Sequence, residues 1–521
     1  MGARTRIAVL AGKATAGLLR ALGRHATTLP GKVALAACPG LLSELSRDMA
    51  VVLVTGTNGK TTTTHLIAGM CDGLERRVLT NSGGANMTAG LVAAFVADCG
   101  RGGRPQSQVA VLECDEVYVR TAAKALQPRA IVVTNLFRDQ LDRWGEVSHI
   151  RDVLREGLDA APRAVAVLNA DDSLVASLAA GRKVACVRYF GLGEAFATAE
   201  ADSRAGEDVG KGVDGSAGKG VGNNAGKGSA VPVPLEGIVC LDCGDAFAFA
   251  WRTYGHLGAF RCPTCGFTRP VPDVEAVAPL DADAESATVE VRVDDASHRL
   301  HLALPGMFNL YNGLAALACA GVLGMDAAAA ATVLAGINSS FGRMEAFACG
   351  DTPVRMILVK NPVGLDRALD YLVAADYPRV FFGLNDKTGD GTDISWIWDA
   401  DLEGFFAGEG AGEGGKPVAQ PAKPQVIGVF GTRAEDMALR LKYASADMGR
   451  LTLLADGNAR HTPTDEYRPV ADAIAADTSP VCILANYTAM YDLRTLLGER
   501  FGLRSMDVSN AGMHLRFPPE R

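Results

Sequence analysis

Val51-Val52-Leu53-Val54-Thr55-Gly56-Thr57-Asn58-Gly59-Lys60-Thr61-Thr62 is the stretch on which the reading of this chain turns. A β-branched apolar run, a glycine turn and a Lys-Thr step into a helical pattern form a phosphate cradle. Backbone N–H groups at the turn and helix start face a polyphosphate, Lys60 adds a cation, and the Thr61 hydroxyl suits Mg²⁺. A general P-loop carries Gly where this chain has Val54, so what stands is the shorter variant Gly56-Thr57-Asn58-Gly59-Lys60-Thr61. The spacing predicts that Gly56, Thr57, Asn58, Gly59, Lys60, Thr61 and Thr62 cradle the phosphates of a nucleotide.

Working outward, apolar runs at Val51–Val54, Val109–Leu112, Ala130–Val133 and Ala164–Leu168 alternate with helical patterns. That alternation predicts βαβ units and a parallel sheet, with ligands at the carboxyl ends of the strands. Thr288–Val293 and Arg299–Leu304, around Asp294-Asp295-Ala296-Ser297, predict a β-hairpin. Helices are expected at Leu310–Leu323 and Ala327–Ile337. A second α/β pattern follows, with strands near Ile357–Val359, Val380–Phe382, Val426–Val429 and Val481–Leu484. The expected fold is α/β, with a P-loop domain over 46–345 and a Rossmann-like domain over 346–521, preceded by a helical segment over 1–45. Two stretches break the pattern. Residues 203–230 repeat Gly-Lys-Gly at Lys211, Lys219 and Lys227, and Gly408 to Pro424 is similarly biased; both predict flexible insertions.

Composition narrows the class. The 521 residues are 48% hydrophobic and 21% charged, enough for several packed domains. A net charge of −8 without a basic block argues against nucleic acid as a partner. No apolar run is long enough for a transmembrane span. Lys13 and Arg20 interrupt the N-terminal apolar run and no cleavage site follows, so an amphipathic helix is expected there rather than an export signal.

Of twelve cysteines, eight are scattered (Cys38, Cys71, Cys99, Cys114, Cys186, Cys319, Cys349, Cys482) and read as buried thiols. The other four, Cys240-Leu-Asp-Cys243 and Cys262-Pro-Thr-Cys265, have the spacing of a Cys₄ zinc ribbon over 236–270. Four thiolates fill a tetrahedral shell, so Zn²⁺ there would be structural.

Further motifs end the strands. Val111-Leu-Glu113-Cys-Asp115-Glu116 ends a strand with three carboxylates, one of which is placed beside the cradle to hold Mg²⁺. Thr134-Asn135-Leu-Phe-Arg138-Asp139-Gln-Leu-Asp142-Arg143, Leu168-Asn169-Ala170-Asp171-Asp172, Gly306-Met-Phe-Asn309-Leu-Tyr-Asn312 and Gly342-Arg343-Met344-Glu345 follow. In this order they resemble the Mur ligases, the ATP-dependent enzymes that build the peptidoglycan stem peptide. The inserted Cys₄ ribbon, the short N-terminal segment and the C-terminal motifs narrow the resemblance to the MurT branch. Those motifs are Lys360-Asn361-Pro362-Val-Gly364, Leu384-Asn385-Asp386, Asp390-Gly391-Thr-Asp393-Ile-Ser395-Trp396-Ile-Trp398-Asp399, Gly431-Thr432-Arg433-Ala434-Glu435 and Asn486-Tyr487-Thr488.

The resemblance implies amidation of the α-carboxyl of D-glutamate in the stem peptide of lipid II to D-isoglutamine, with ATP forming an acyl phosphate. It implies ammonia from a separate GatD-type glutaminase in a heterodimer, since no cysteine here has a nucleophile setting. It gives Gly56–Thr62 to ATP, Thr61 and Glu113 to Mg²⁺, Asn312 to the adenine or ribose and Arg343 to the nucleotide phosphates. It gives Asp393 a catalytic role, completing the partner's Cys/His pair, and places the work in the cytoplasm at the inner face of the membrane. On the residues alone, a helix cap competes for Asn312 and for Asp393, and a surface ion pair for Arg343. Asp386, Asp390 and Asp399 compete with Asp393. A stand-alone Mur-type or folylpolyglutamate synthase-like ligase, and a zinc-held nucleotide-binding scaffold without catalysis, remain the other readings.

Overall fold

The computed structural model describes residues 2–22, 28–81, 85–100, 102–137, 147–180, 186–198, 237–283, 285–337, 343–387, 389–406, 424–454 and 466–503. The 203–230 insertion, nearly all of 408–424, the Arg138–Arg143 run and Gly342 lie outside them.

The first sheet holds β1 (Ala50–Thr55), β2 (Val78–Thr80), β3 (Val109–Glu113), β4 (Ala130–Val133), β5 (Val165–Asn169) and β6 (Cys186–Leu192). A small hairpin follows, β7 (Ala248–Arg252) and β8 (Gly258–Arg261). Then β9 (Val274–Ala282), β10 (Ala287–Val293) and β11 (Ala296–Leu302) return to the sheet. Its order is β11-β10-β9-β6-β5-β4-β1-β3-β2. From β2 to β9 neighbouring strands run parallel; β9, β10 and β11 are antiparallel. β1 is an interior strand, with Leu53 opposite Leu112 on one side and Ile131 on the other. Its side chains alternate between two buried layers: Val52 and Val54 join one core, Val51 and Leu53 the other. That is why the run is continuously apolar. The helices Lys60–Gly73 and Met307–Val322 fill the first layer, and Thr88–Asp98 and Val119–Leu126 the second.

The second sheet contains β12 (Arg343–Cys349), β13 (Thr352–Leu358), β14 (Arg379–Gly383), β15 (Val426–Phe430), β16 (Leu451–Leu453) and β17 (Val481–Ala485), ordered β12-β13-β17-β14-β15-β16. All its pairs are parallel except β12 with β13.

The N-terminal helical segment consists of the helices Ala3–Ala21, Leu29–Ala37 and Leu41–Leu45. Two expectations need correction. The predicted hairpin exists, but its second strand starts at Ala296. Asp294, at φ 52°, allows a tight turn that leaves Ala296 and Ser297 in the ladder. Cys186 is exposed, because it opens β6 before the strand enters the core; the other seven scattered cysteines are buried.

Candidate active site

The cradle sits at the carboxyl end of β1. Gly56 has φ 124° and Gly59 φ 84°, backbone that side chains resist. Space forbids them as well. A Cβ on Gly59 would lie 2.1 Å from Asn312 Oδ1, and one on Gly56 would lie 2.3 Å from Thr134 Oγ1. Gly59 then opens the helix Lys60–Gly73, aiming its first N–H groups along the turn.

Lys60 is buried. Its Nζ donates to Gly56 O at 2.5 Å and pairs with Glu116 Oε1 at 3.0 Å. Burial pushes the Glu116 carboxyl up, and the Lys60 ammonium opposes that. Thr61 Oγ1 donates to Glu113 Oε2 at 2.7 Å, so the two Mg²⁺ candidates meet directly. An alcohol and a carboxylate are the hard oxygen donors Mg²⁺ prefers. Asn81 fixes Glu113 through both backbone groups, accepting from its N–H and donating to its C=O, each at 2.8 Å. Asn81 escaped the sequence reading, for it stands alone after a three-residue strand.

Next to the turn, Asn312 Oδ1 accepts from Thr63 Oγ1 at 3.2 Å, and Asn312 Nδ2 donates to Asn309 Oδ1 at 3.1 Å. Asn312 thus lies one turn inside the helix Met307–Val322, against the cradle, and does not cap it. Asn135 brackets Asn58, accepting from its N–H at 2.9 Å and donating to its C=O at 3.1 Å. Thr57 Oγ1 exchanges hydrogen bonds with the Phe137 backbone. From the second domain, Asn361 Nδ2 reaches Asn58 Oδ1 at 3.0 Å. Arg343 begins β12, at the boundary between the domains.

The hairpin β7–β8 carries the ribbon. Cys240 Sγ lies 3.6 Å from Cys265 Sγ and Cys243 Sγ 3.4 Å from Cys262 Sγ, and all four sulfurs fall within 4.8 Å of one another. Gly244 and Gly266 close each turn by donating to Cys240 O and Cys262 O. The Cys265 N–H holds the Cys262 thiol down to about 7. Four converging sulfurs on two such turns match the donor set of structural Zn²⁺. Beneath them Phe247, Phe249 and Phe260 form a small core of their own.

The tip of that hairpin reaches the nucleotide side. The Tyr254 and His256 rings lie 6.0 and 4.7 Å from Phe137, and Arg367 of the second domain stands 5.0 Å over Tyr254. His256 Nε2 is 3.2 Å from Asp172 Oδ1. Asp172 also caps the helix Ser173–Ala176 and accepts from Leu136 N–H at 2.7 Å. Asp171 is fully buried and accepts from Arg269 Nε, Tyr311 Oη and Leu192 N–H. The Leu168–Asp172 motif therefore builds the wall and fastens the ribbon.

In the second domain the four candidate aspartates differ. Asp390 is buried, accepting from the Thr488 N–H at 2.8 Å and from its hydroxyl; burial pushes its carboxyl up. Asp386 is tied to Thr432 Oγ1 and Arg433 Nε at 2.9 Å each, which hold it low. Asp399 is exposed, following the short turn Ser395–Trp398. Asp393 is exposed too. It accepts from Ser395 N–H at 2.8 Å, and the Ser395 contacts keep its carboxyl below the ordinary range. It lies two residues before the Ser395–Trp398 turn, whose cap is Ile394.

Comparison with known proteins matches the Mur ligase middle domain over residues 54–219 and the MurT ligase C-terminal domain over 358–490. The chain is 32% identical over 502 residues to the lipid II isoglutaminyl synthase (glutamine-hydrolyzing) subunit MurT of Streptococcus pneumoniae, spanning 96% of this chain and 98% of that one. It is 30% identical to the subunit of the same name from Staphylococcus aureus, over 85% of this chain and 87% of that one. A pseudomurein peptide ligase type C from Methanothermus fervidus shares the fold, with a TM-score of 0.59 at 19% identity, covering 88% of this chain and 80% of that one. Two relatives named MurT match at 30% identity or more over 85–96% of this chain, and the middle and C-terminal domain models match beside them, so the chain belongs to the MurT family of Mur-type ligases.

Proposed function

We propose that this chain is the ligase subunit of a lipid II isoglutaminyl synthase. One observation carries the reading: Lys60, Thr61 and Glu113 meet at the mouth of β1, in a chain similar over 85% or more of its length to two subunits of that name. The α-carboxylate of D-glutamate in the lipid II stem peptide would attack the γ-phosphorus of ATP. ADP leaves and an acyl phosphate forms. Ammonia then adds to the acyl carbon, loses a proton, and expels phosphate to give D-isoglutamine.

Gly56–Thr62 would wrap the polyphosphate with backbone N–H groups, and Lys60 would exchange its contact with Gly56 O for a phosphate oxygen. Thr61 and Glu113 would hold Mg²⁺, which when bound neutralises charge on the transferred phosphoryl group. Asn312, next to Gly59, would border the base or ribose, and Arg343 would face the phosphates. Cys240, Cys243, Cys262 and Cys265 would hold Zn²⁺ as a structural fastening. The nitrogen would come from a GatD-type glutaminase bound as a heterodimer. Asp393, ionised and exposed, would orient that partner's histidine as the acid of a triad does. Such a reaction belongs in the cytoplasm at the inner membrane face.

Incubation with lipid II, ATP and ammonium salt, without any partner, tests the ligase half. ADP and amidated stem peptide should accumulate together. No ADP and no amide would refute the ligase assignment.

A further inference from the structure

The helix Ala3–Ala21 is built inside out for a helix that packs on its own domain. The residues it buries are small or short: Thr5, Ala8, Val9 and Gly12. They face the helices Leu29–Ala37 and Thr88–Asp98. The residues it turns to solvent are large and aliphatic: Ile7 is 62% exposed, Leu10 64%, Leu18 63%, and Leu22, which closes the helix, 65%. An ordinary surface helix does the reverse. At 3.6 residues per turn, Ile7, Leu10, Ala14, Leu18 and Leu22 fall in one stripe roughly 120° wide. Exposed Arg6 and Arg20 line one margin of the stripe, with half-buried Lys13 between them, and exposed Arg4 stands at the other.

Charge selects the occupant. The helix holds no acidic residue, in a chain with 59 of them and a net charge of −8. A basic rim around an aliphatic stripe is the complement of an anionic lipid surface. The acidic remainder of the molecule would be repelled by that surface, so this face is the one that can approach it. No helix among the described residues is long and apolar enough to cross a membrane. The arrangement therefore fits a helix that lies on the bilayer.

We propose that the outer face of the helix Ala3–Ala21 docks the protein on a membrane surface bearing anionic headgroups. Ile7, Leu10 and Leu18 enter the headgroup boundary, and Arg4, Arg6 and Arg20 pair with lipid phosphates. The inference concerns binding alone and does not depend on the reaction proposed above.

The test is flotation of the full chain with vesicles that contain no lipid II. One set is phosphatidylcholine; the other includes about one-third phosphatidylglycerol. The expected result is co-flotation with the anionic set, at least about tenfold above the neutral set and weakened by salt. Ile7→Ser, Leu10→Ser and Leu18→Ser together should cut binding by about tenfold or more while moving the unfolding temperature by only about 2–4 °C, because all three side chains are already mostly in water. If that variant proves unstable, Arg6→Glu with Arg20→Glu keeps the stripe and should abolish the preference for anionic vesicles. The proposal is overturned if the wild type floats with neither set, or if both variants bind like the wild type. It is equally overturned if the substitutions leave flotation intact but dissolve a homodimer or a complex with a partner protein, for the stripe would then be a protein interface.

Discussion

Lys60 and Asp393 are both charged groups on turns at the carboxyl ends of strands, yet their surroundings are opposite. Lys60 is buried among Gly56, Thr57 and Glu116, on a turn braced by Thr134, Asn135 and Asn312. Asp393 stands in solvent, fixed chiefly by Ser395. The first is a site whose partners are supplied by the chain itself. The second is an ionised group that the chain leaves open to solvent. Buried polar groups need internal partners, whereas an exposed carboxylate is satisfied by water until another surface displaces it.

The largest effect should come from Lys60→Ala. We expect ammonia-driven amidation to fall by about a thousandfold, read as ADP release, since a cation on the transferring phosphate is lost. A loss under tenfold would erase the distinction between the two turns. Asp393→Asn should split the activities: glutamine-driven amidation falls by about a hundredfold or more while the ammonia-driven rate stays within about twofold. Equal losses would move Asp393 into the ligase site. Cys262→Ser should eliminate a bound zinc, otherwise found at about one per chain, and lower the unfolding midpoint by about 5 °C. Metal analysis and calorimetry read both.

The smallest effect concerns Asp366, on the helix Pro362–Ala375. Burial pushes its carboxyl up to about 6, although its side chain accepts from Asp401 N–H at 2.8 Å. Because the folded value is raised, the favourable contribution of the protonated form is full below pH ~4 and is lost as pH rises through about 6. Asp366→Asn should therefore stabilise the protein by about 1 kcal/mol at pH 8 and by almost nothing at pH 4, the shift being discounted for partial exposure. Chemical denaturation at the two pH values checks the sign.

How much was legible follows from distance along the chain. The run Val51–Val54, its glycines and Lys60-Thr61 are contiguous, so local pattern sufficed. The Cys₄ spacing is likewise local, and its sulfurs converge. β6 and β9 were not read, because Arg188, Glu275 and the Asp281 end of β9 dilute the apolar signal within those strands. Asn361 and Asn135 stood in quoted motifs, but their meeting at Asn58 joins residues far apart. No local rule reports that the ribbon tip packs on Phe137. The exposure of Cys186 depends on where a strand enters its core, which composition cannot state.

The Asn361 side chain spends its two ends on two domains. Its oxygen caps the helix Pro362–Ala375 through Gly364 N–H at 2.8 Å, and its nitrogen reaches Asn58 in the cradle. Any hinge motion that carries that helix outward must break the second bond while sparing the first. Whatever stiffens Asn58 thereby favours the shut form, and shutting in turn stiffens Asn58, with equal free energy in each direction. Aspartate, nearly the same shape, would keep the cap and turn the donor into a second acceptor facing Asn58 Oδ1. The molecule would then fold as before, and the link to the cradle would last only if the Asn58 amide turned its nitrogen toward the new carboxylate, so this single amide sets the polarity of the bond between the two domains.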